Sequence, residues 1–122
     1  MEKVITMGGR EVRMRASALI PRLYRYKFGR DMIADMKLLQ RDTKALVEAQ
    51  KAGEAAEFSL EDLTVFENVA YIMAKHADTS VPESIDEWLE SFDGVLSIYT
   101  ALPEIFELWQ LNNLTTSVPR KK

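Results

Sequence analysis

The sequence predicts an α+β fold that is mainly α. A single domain over residues 1–114 carries an N-terminal β-hairpin at 3–16 and about five helices packed around a central helix at 59–77, and residues 115–122 form a disordered basic tail. Three observations lead there. A Gly8-Gly9 pair sits between two alternating segments, a hairpin signature. Ser59 to Ala77 is apolar around most of a helical girth, as in a helix that others surround. Capping residues at Ser17, Asp31, Ser59 and Ser84 each precede apolar residues spaced by three and four.

The hairpin comes first. Lys3–Met7 and Glu11–Arg15 flank the two glycines, which supply the positive φ angles of a tight primed turn. Val12, Met14 and Ala16 alternate with Arg13 and Arg15, so one face is buried and the other solvated. A two-stranded ribbon is marginal alone, so it must lie on the helices or add to a strand of a neighbouring subunit.

Ser17 reads as the cap of a first helix, with Leu19, Leu23, Tyr24 and Phe28 on its apolar side. Pro21 is tolerated only in the first turn, which allows the helix to begin as late as Ile20, and Gly29 terminates it. Asp31 caps a second helix to about Gln50. Its stripe is Met32, Met36, Leu39, Thr43 and Leu46, widened by Ile33 and Val47, and Asp35, Lys37, Arg41, Asp42, Lys44 and Glu48 form an outer charged face. Lys51 to Glu57 loses the periodicity and reads as a mobile connection.

The central helix opens with Ser59, followed by Glu61 and by Asp62 three residues on, a shortened capping box at the positive end of the dipole. Leu63, Phe66, Ala70, Met73 and Ala77 make one apolar row and Val65, Val69 and Ile72 a second, leaving Glu67, Asn68 and Lys75 for water. Asp78–Glu83 is a loop by composition. Ser84 and Glu87 begin a short helix with Trp88, Leu89 and Phe92, and Asp93-Gly94 breaks it. An apolar helix from Val95 to Leu111 follows. Pro103 must kink or restart it, because it cannot donate to Tyr99 and its ring crowds that carbonyl. Asn112-Asn113 ends it.

Composition narrows the chemistry. The chain of 122 residues is 47% hydrophobic and 29% charged, values of an ordinary globular domain. No apolar run reaches the ~20 residues of a membrane span, and the N-terminal MEKVITMGG has no apolar core of a secretory signal. Without cysteine there are no disulfides, thiolate nucleophiles or zinc–thiolate sites, and an intracellular protein is expected. Charge is unevenly spread. Up to Gln50 there are 11 basic and 6 acidic residues, a net +5, whereas Lys51–Val118 holds 2 basic and 13 acidic, a net −11. Such polarity suits either nucleic-acid contact by the basic half or mutual attraction of the halves, within one chain or between neighbours. The second is favoured, since the acidic half would repel phosphate. It predicts a homo-oligomer built head to tail.

Catalytic constellations are not legible. His76, the single histidine, lacks carboxylate partners for a metal site and reads as a helix C-terminal residue favourable to the dipole. Glu104 and Glu107, and Asp86, Glu87 and Glu90, read as solvated acidic faces. Gly8-Gly9 lacks the strand-to-helix context of a phosphate loop. No enzyme, cofactor or metal is therefore expected. The most suggestive stretch is RLYRYKFGR, from Arg22 to Arg30, in which basic residues alternate with Tyr24, Tyr26 and Phe28. It superficially resembles a nucleic-acid surface with stacking platforms. On a helix, however, Tyr24 and Phe28 turn inward, leaving Arg22, Arg25, Tyr26 and Arg30 as a candidate protein-contact patch.

Four blocks, ASALIPRLYRYKFGRDM from Ala16, VFENVAYIMAKHAD from Val65, SIDEWLESF from Ser84 and LPEIFELWQLN from Leu102, together with VITMGGREVRMR near the start, resemble the tail assembly chaperones of long-tailed phages and prophages of Gram-positive bacteria. The resemblance covers nearly the whole chain and is one of overall pattern. It implies a small, mainly helical protein, acting in the cytoplasm of the bacterial host, that binds the long apolar tape-measure protein. It would keep that client soluble until tail-tube subunits displace it. No residue with an established role maps onto this chain. The alternative from another class is a phage-encoded regulator that binds nucleic acid through the Arg22–Arg30 face.

Overall fold

The structure, a computed structural model, describes residues 1–117, with side chains to Gln110. Two antiparallel strands, β1 (Glu2–Met7) and β2 (Arg10–Arg15), are paired from Glu2↔Arg15 to Met7↔Arg10. Five α-helices follow: α1 (Ile20–Phe28), α2 (Met32–Lys51), α3 (Leu60–Ala77), α4 (Ile85–Glu90) and α5 (Leu102–Ser117), with a 3₁₀ helix at Ser97–Ala101 before the last. The predicted class, a hairpin followed by helices, is the one observed.

Gly8 and Gly9 adopt φ of 60° and 80°, the two left-handed residues of a type I′ turn. Gly8 has a second reason to be glycine, since a Cβ there would lie 2.6 Å from Cδ1 of Phe92. The ladder extends one pair further through Met1 and Ala16, whose amino and carbonyl groups exchange bonds of 2.8 and 2.9 Å. Ile5, Met7, Met14 and Ala16 are fully buried, so the hairpin lies on its own helices. Glu104 of α5 accepts from the outward Thr6 amide at 3.2 Å, and Glu107 pairs with Lys3. These two acids, expected to be solvated, cover part of an edge that would otherwise be open for strand addition.

α3 is the centre of the core. Val65, Phe66 and the continuous run Val69–Ala74 are buried, and its N-terminus carries the reciprocal cap between Ser59 and Asp62. Around it sit Tyr24 from α1, Met32, Met36 and Leu39 from α2, Trp88 from α4, and Ile105, Leu108 and Trp109 from α5. Edge-on aromatic contacts link Tyr71 to Trp88 and Trp88 to Phe92, at centroid distances of 5.7 and 5.1 Å.

Several expectations are corrected. Ser17 does not cap α1. Pro21 lets the helix begin at Ile20, and Leu19 holds the cap position without a side-chain bond. On α1 the inward stripe is Ile20 and Tyr24, while Leu19 stays in solvent. On α2, Ile33 and Val47 are exposed and do not widen the stripe. Asp35, assigned to a solvated face, is buried because Tyr24 and Arg30 donate to it, and Asn68, left for water, is buried as well. Val95 and Leu96 lie outside any helix and are exposed, since Pro103 leaves only a 3₁₀ turn ahead of α5. α5 runs past Asn112-Asn113 to Ser117, because neither asparagine interrupts a backbone as glycine or proline does. It thus includes the first three residues of the expected tail; residues 118–122 of that tail lie outside the described residues.

Candidate docking groove

A nine-residue helix with apolar residues on two stripes cannot bury both. α1 sends Ile20 and Tyr24 into the core and leaves Leu19, Leu23 and Tyr26, spaced i, i+4 and i+7, on the adjoining face. That ridge forms one wall of an open groove of about 540 Å³, whose other wall is the C-terminal half of α3 through Ile72, Lys75 and His76. Leu19 is 48% and Tyr26 66% exposed, unusual values for residues of their size.

The rim is basic. Arg22 places its guanidinium 5.1 Å from the Tyr26 ring centroid, and Arg25 is exposed on the same helix. Lys27 donates to the Glu83 carbonyl at 2.6 Å. Lys75 pairs with the Glu83 carboxylate at 2.9 Å and donates to the carbonyls of Val81 and Thr79 at 2.5 and 3.2 Å. The Tyr71 hydroxyl donates to the Pro82 carbonyl at 2.6 Å. The loop from Asp78 to Glu83 is thereby fastened to α1 and α3, and the groove has a fixed end.

His76 closes the floor. Its Nε2 lies 2.8 Å from the Ser17 hydroxyl, which ties the segment after the hairpin to the end of α3. Burial, then Arg15 and the amino terminus, lower its pKa below 6.5. Burial thus works against the charged ring that the C-terminal end of the α3 dipole would favour.

The orientation of α1 is set by a second cluster. Asp35 receives Arg30 in a two-pronged contact, at 2.7 and 2.8 Å, and the Tyr24 hydroxyl at 2.8 Å. Arg30 reaches Glu61 of α3 at 3.3 Å. Burial raises the Asp35 pKa, but the Arg30 and Tyr24 hydrogen bonds outweigh it and hold the carboxyl below its usual value. Tyr24 is driven well above the usual phenol range by burial and then by Asp35. Gly29, at φ 67°, makes the tight turn that brings Arg30 back onto α2.

Of the four contact residues named from the sequence, only Tyr26 lines the groove; Arg22 lies over the Tyr26 ring, Arg25 is exposed on α1 without lining the groove, and Arg30 is drawn away into the ion cluster. Leu19, Leu23, Ile72 and Lys75 were missed as groove residues. Their signal was present in α1 as the i, i+4, i+7 ridge beside the Ile20–Tyr24 stripe, but only packing against α3 decides which stripe is inside. Among the described residues no group of three or more potential metal ligands gathers, and no helix is long and apolar enough to cross a membrane. No protein-family model, curated protein or solved structure matches this chain.

Proposed function

We propose that this chain is a phage tail assembly chaperone that binds the tape-measure protein through the α1/α3 groove and keeps it soluble, in the cytoplasm of the bacterial host, until tail-tube subunits polymerise around it. The sequence resemblance suggests the role. The observation that carries it is an apolar groove left open beside a fully formed core. An amphipathic helix laid there would bury its i, i+3, i+4 side chains on Leu19, Leu23 and Tyr26 at about 25 cal/mol per Å². Contacts that small are individually weak, sum along a long client by avidity, and yield one at a time to arriving tube subunits. Binding of this kind requires no nucleotide, metal or covalent step.

Arg30 bonds inward, which reduces the basic stripe to Arg22, Arg25 and Lys27 and weakens the nucleic-acid alternative. The deciding experiment co-expresses this chain with a phage tape-measure protein. The soluble fraction of that client should rise and the two should co-purify, and Leu19→Ser with Tyr26→Ser should abolish both effects. Equal client insolubility with and without this chain refutes the proposal. Salt-sensitive micromolar DNA retention would promote the alternative.

A further inference from the structure

α2 and α3 meet at a pair of carboxyl groups that neither the groove nor the Arg30 cluster uses. Asp62, in the first turn of α3, is 2% exposed. Its Oδ2 accepts from the Ser59 amide at 3.3 Å and from the Ser59 hydroxyl at 3.0 Å. Its Oδ1 is out of solvent reach and has no donor among the described residues. A carboxylate oxygen buried in that state has lost its hydration and gained no hydrogen bond.

Asp42 of α2 stands within hydrogen-bonding reach of Asp62, and both line one hollow with Leu46 and Phe58. Two carboxylates offer only acceptors, so their contact is repulsive unless a proton lies between them. The surrounding charges favour Asp42 as the ionised member. Arg41 donates from Nε to Oδ1 of Asp42 at 2.9 Å. Its charge also reaches Asp62, but from a side chain 72% exposed, where solvent screens it. Glu57, exposed on the connection, borders the same hollow and adds negative charge. Glu61 is engaged with Arg30 at 3.3 Å. The positive end of the α3 dipole favours an anion, and exposed Glu61 supplies one there without burial.

We propose that Asp42 and Asp62 share one proton, which sits on Oδ1 of Asp62 and is donated in a hydrogen bond to Asp42, latching α2 to the N-terminal cap of α3. The proton, taken from solvent, gives Oδ1 its missing partner and turns a like-charge contact into a hydrogen bond to a charged acceptor. Oδ2 remains with Ser59, so the capping box is intact in the protonated form. Burial, and then Asp42, raise the Asp62 pKa, while the Arg41 hydrogen bond lowers that of Asp42, in keeping with this division. Folding thus takes up a proton. The stability this provides is complete below the unfolded value near ~3.9 and is lost as pH rises through the higher folded midpoint. Above that midpoint two carboxylates face each other and the latch opens.

Carboxyl-carbon NMR of the full chain, with its aspartates isotopically labelled, follows Asp62 directly. Its midpoint should lie above ~3.9. Asp42→Asn replaces the neighbouring charge with an amide that can donate to an ionised Asp62, and should weaken proton binding by Asp62 about tenfold or more. Asp62→Asn places an NH₂ where the protonated oxygen stood and needs no proton to donate to Asp42. In urea unfolding the wild type should lose stability relative to this variant as pH rises through the midpoint, by up to about tenfold in the folding constant per pH unit. A midpoint at or below ~3.9, a midpoint that Asp42→Asn leaves in place, or an Asp62→Asn chain with the wild-type pH profile overturns the proposal. The first two readings are made on the wild type and on Asp42→Asn, so they decide the matter even where Asp62→Asn does not fold.

Discussion

Replacing Asp35 with asparagine tests whether the ion cluster holds α1 in place. The carboxylate is buried and accepts three hydrogen bonds, two from Arg30 and one from Tyr24. Breaking a buried pair by removing one partner costs about 3–5 kcal/mol when the other charge is stranded. Arg30 is not fully stranded, because its side chain is 42% exposed and retains Glu61, so its share must be discounted for solvent. The residual cost falls on the Tyr24 hydroxyl and on a buried amide with an unmatched NH₂, about 2–3 kcal/mol in all. Tyr24→Phe, which leaves Arg30–Asp35 intact, should cost only about 1 kcal/mol. Urea unfolding at neutral pH measures both, as a shift of midpoint at constant slope. The pH dependence supplies a sign. The folded-state pKa of Asp35 is lowered, so the native state binds fewer protons than the unfolded chain, and the stabilisation is complete above the unfolded value near ~3.9. It is lost as pH falls further, through the folded value, and the gap between wild type and Asp35→Asn should narrow there. A difference below about 0.5 kcal/mol at neutral pH, or one that does not narrow on acidification, would refute this account.

Three further outcomes are expected. Phe66→Ala should destabilise by about 3–5 kcal/mol in chemical denaturation, because Phe66 is buried at the centre of α3 and packs 5.1 Å from the Tyr99 ring; a loss under about 1 kcal/mol would show the central helix to be misplaced. Gly8→Ala should cost more than Gly9→Ala in the same assay, since both have positive φ but only a Cβ at Gly8 meets Phe92, and equal costs would remove the turn–Phe92 contact. The single histidine gives one resolvable proton NMR titration, whose midpoint should lie below 6.5; stability should correspondingly fall as pH drops through 6.5 toward that midpoint, and His76→Gln should abolish the fall.

How far the sequence could be read varies with the kind of signal. Gly8-Gly9, Asp31, Ser59 and Gly29 each perform the local task their residue type suits, because turn and cap energetics involve only a few neighbouring atoms. Long apolar runs were equally legible: α3 is buried on nearly every side, so no choice of face arises. Ser17 was misread because a hydroxyl before a helix can serve a cap or a distant partner, and here it pairs with His76, 59 residues away. Val95 and Leu96 were misread because hydrophobicity alone does not distinguish a core strip from an exposed tip.

From the residues alone came the class, the order of elements, the hairpin with its Gly8-Gly9 turn and the helix that forms the core, all consequences of φ preferences and hydrophobic periodicity. Tertiary structure decided which of two apolar stripes on α1 faces inward, that Asp35 and Asn68 are buried, and that Arg30 belongs to an ion cluster while Tyr26 lines a groove. These outcomes depend on how α1, α2 and α3 meet. A side chain's burial depends on neighbours far away in sequence, and a carboxylate is buried only where another element brings donors to it.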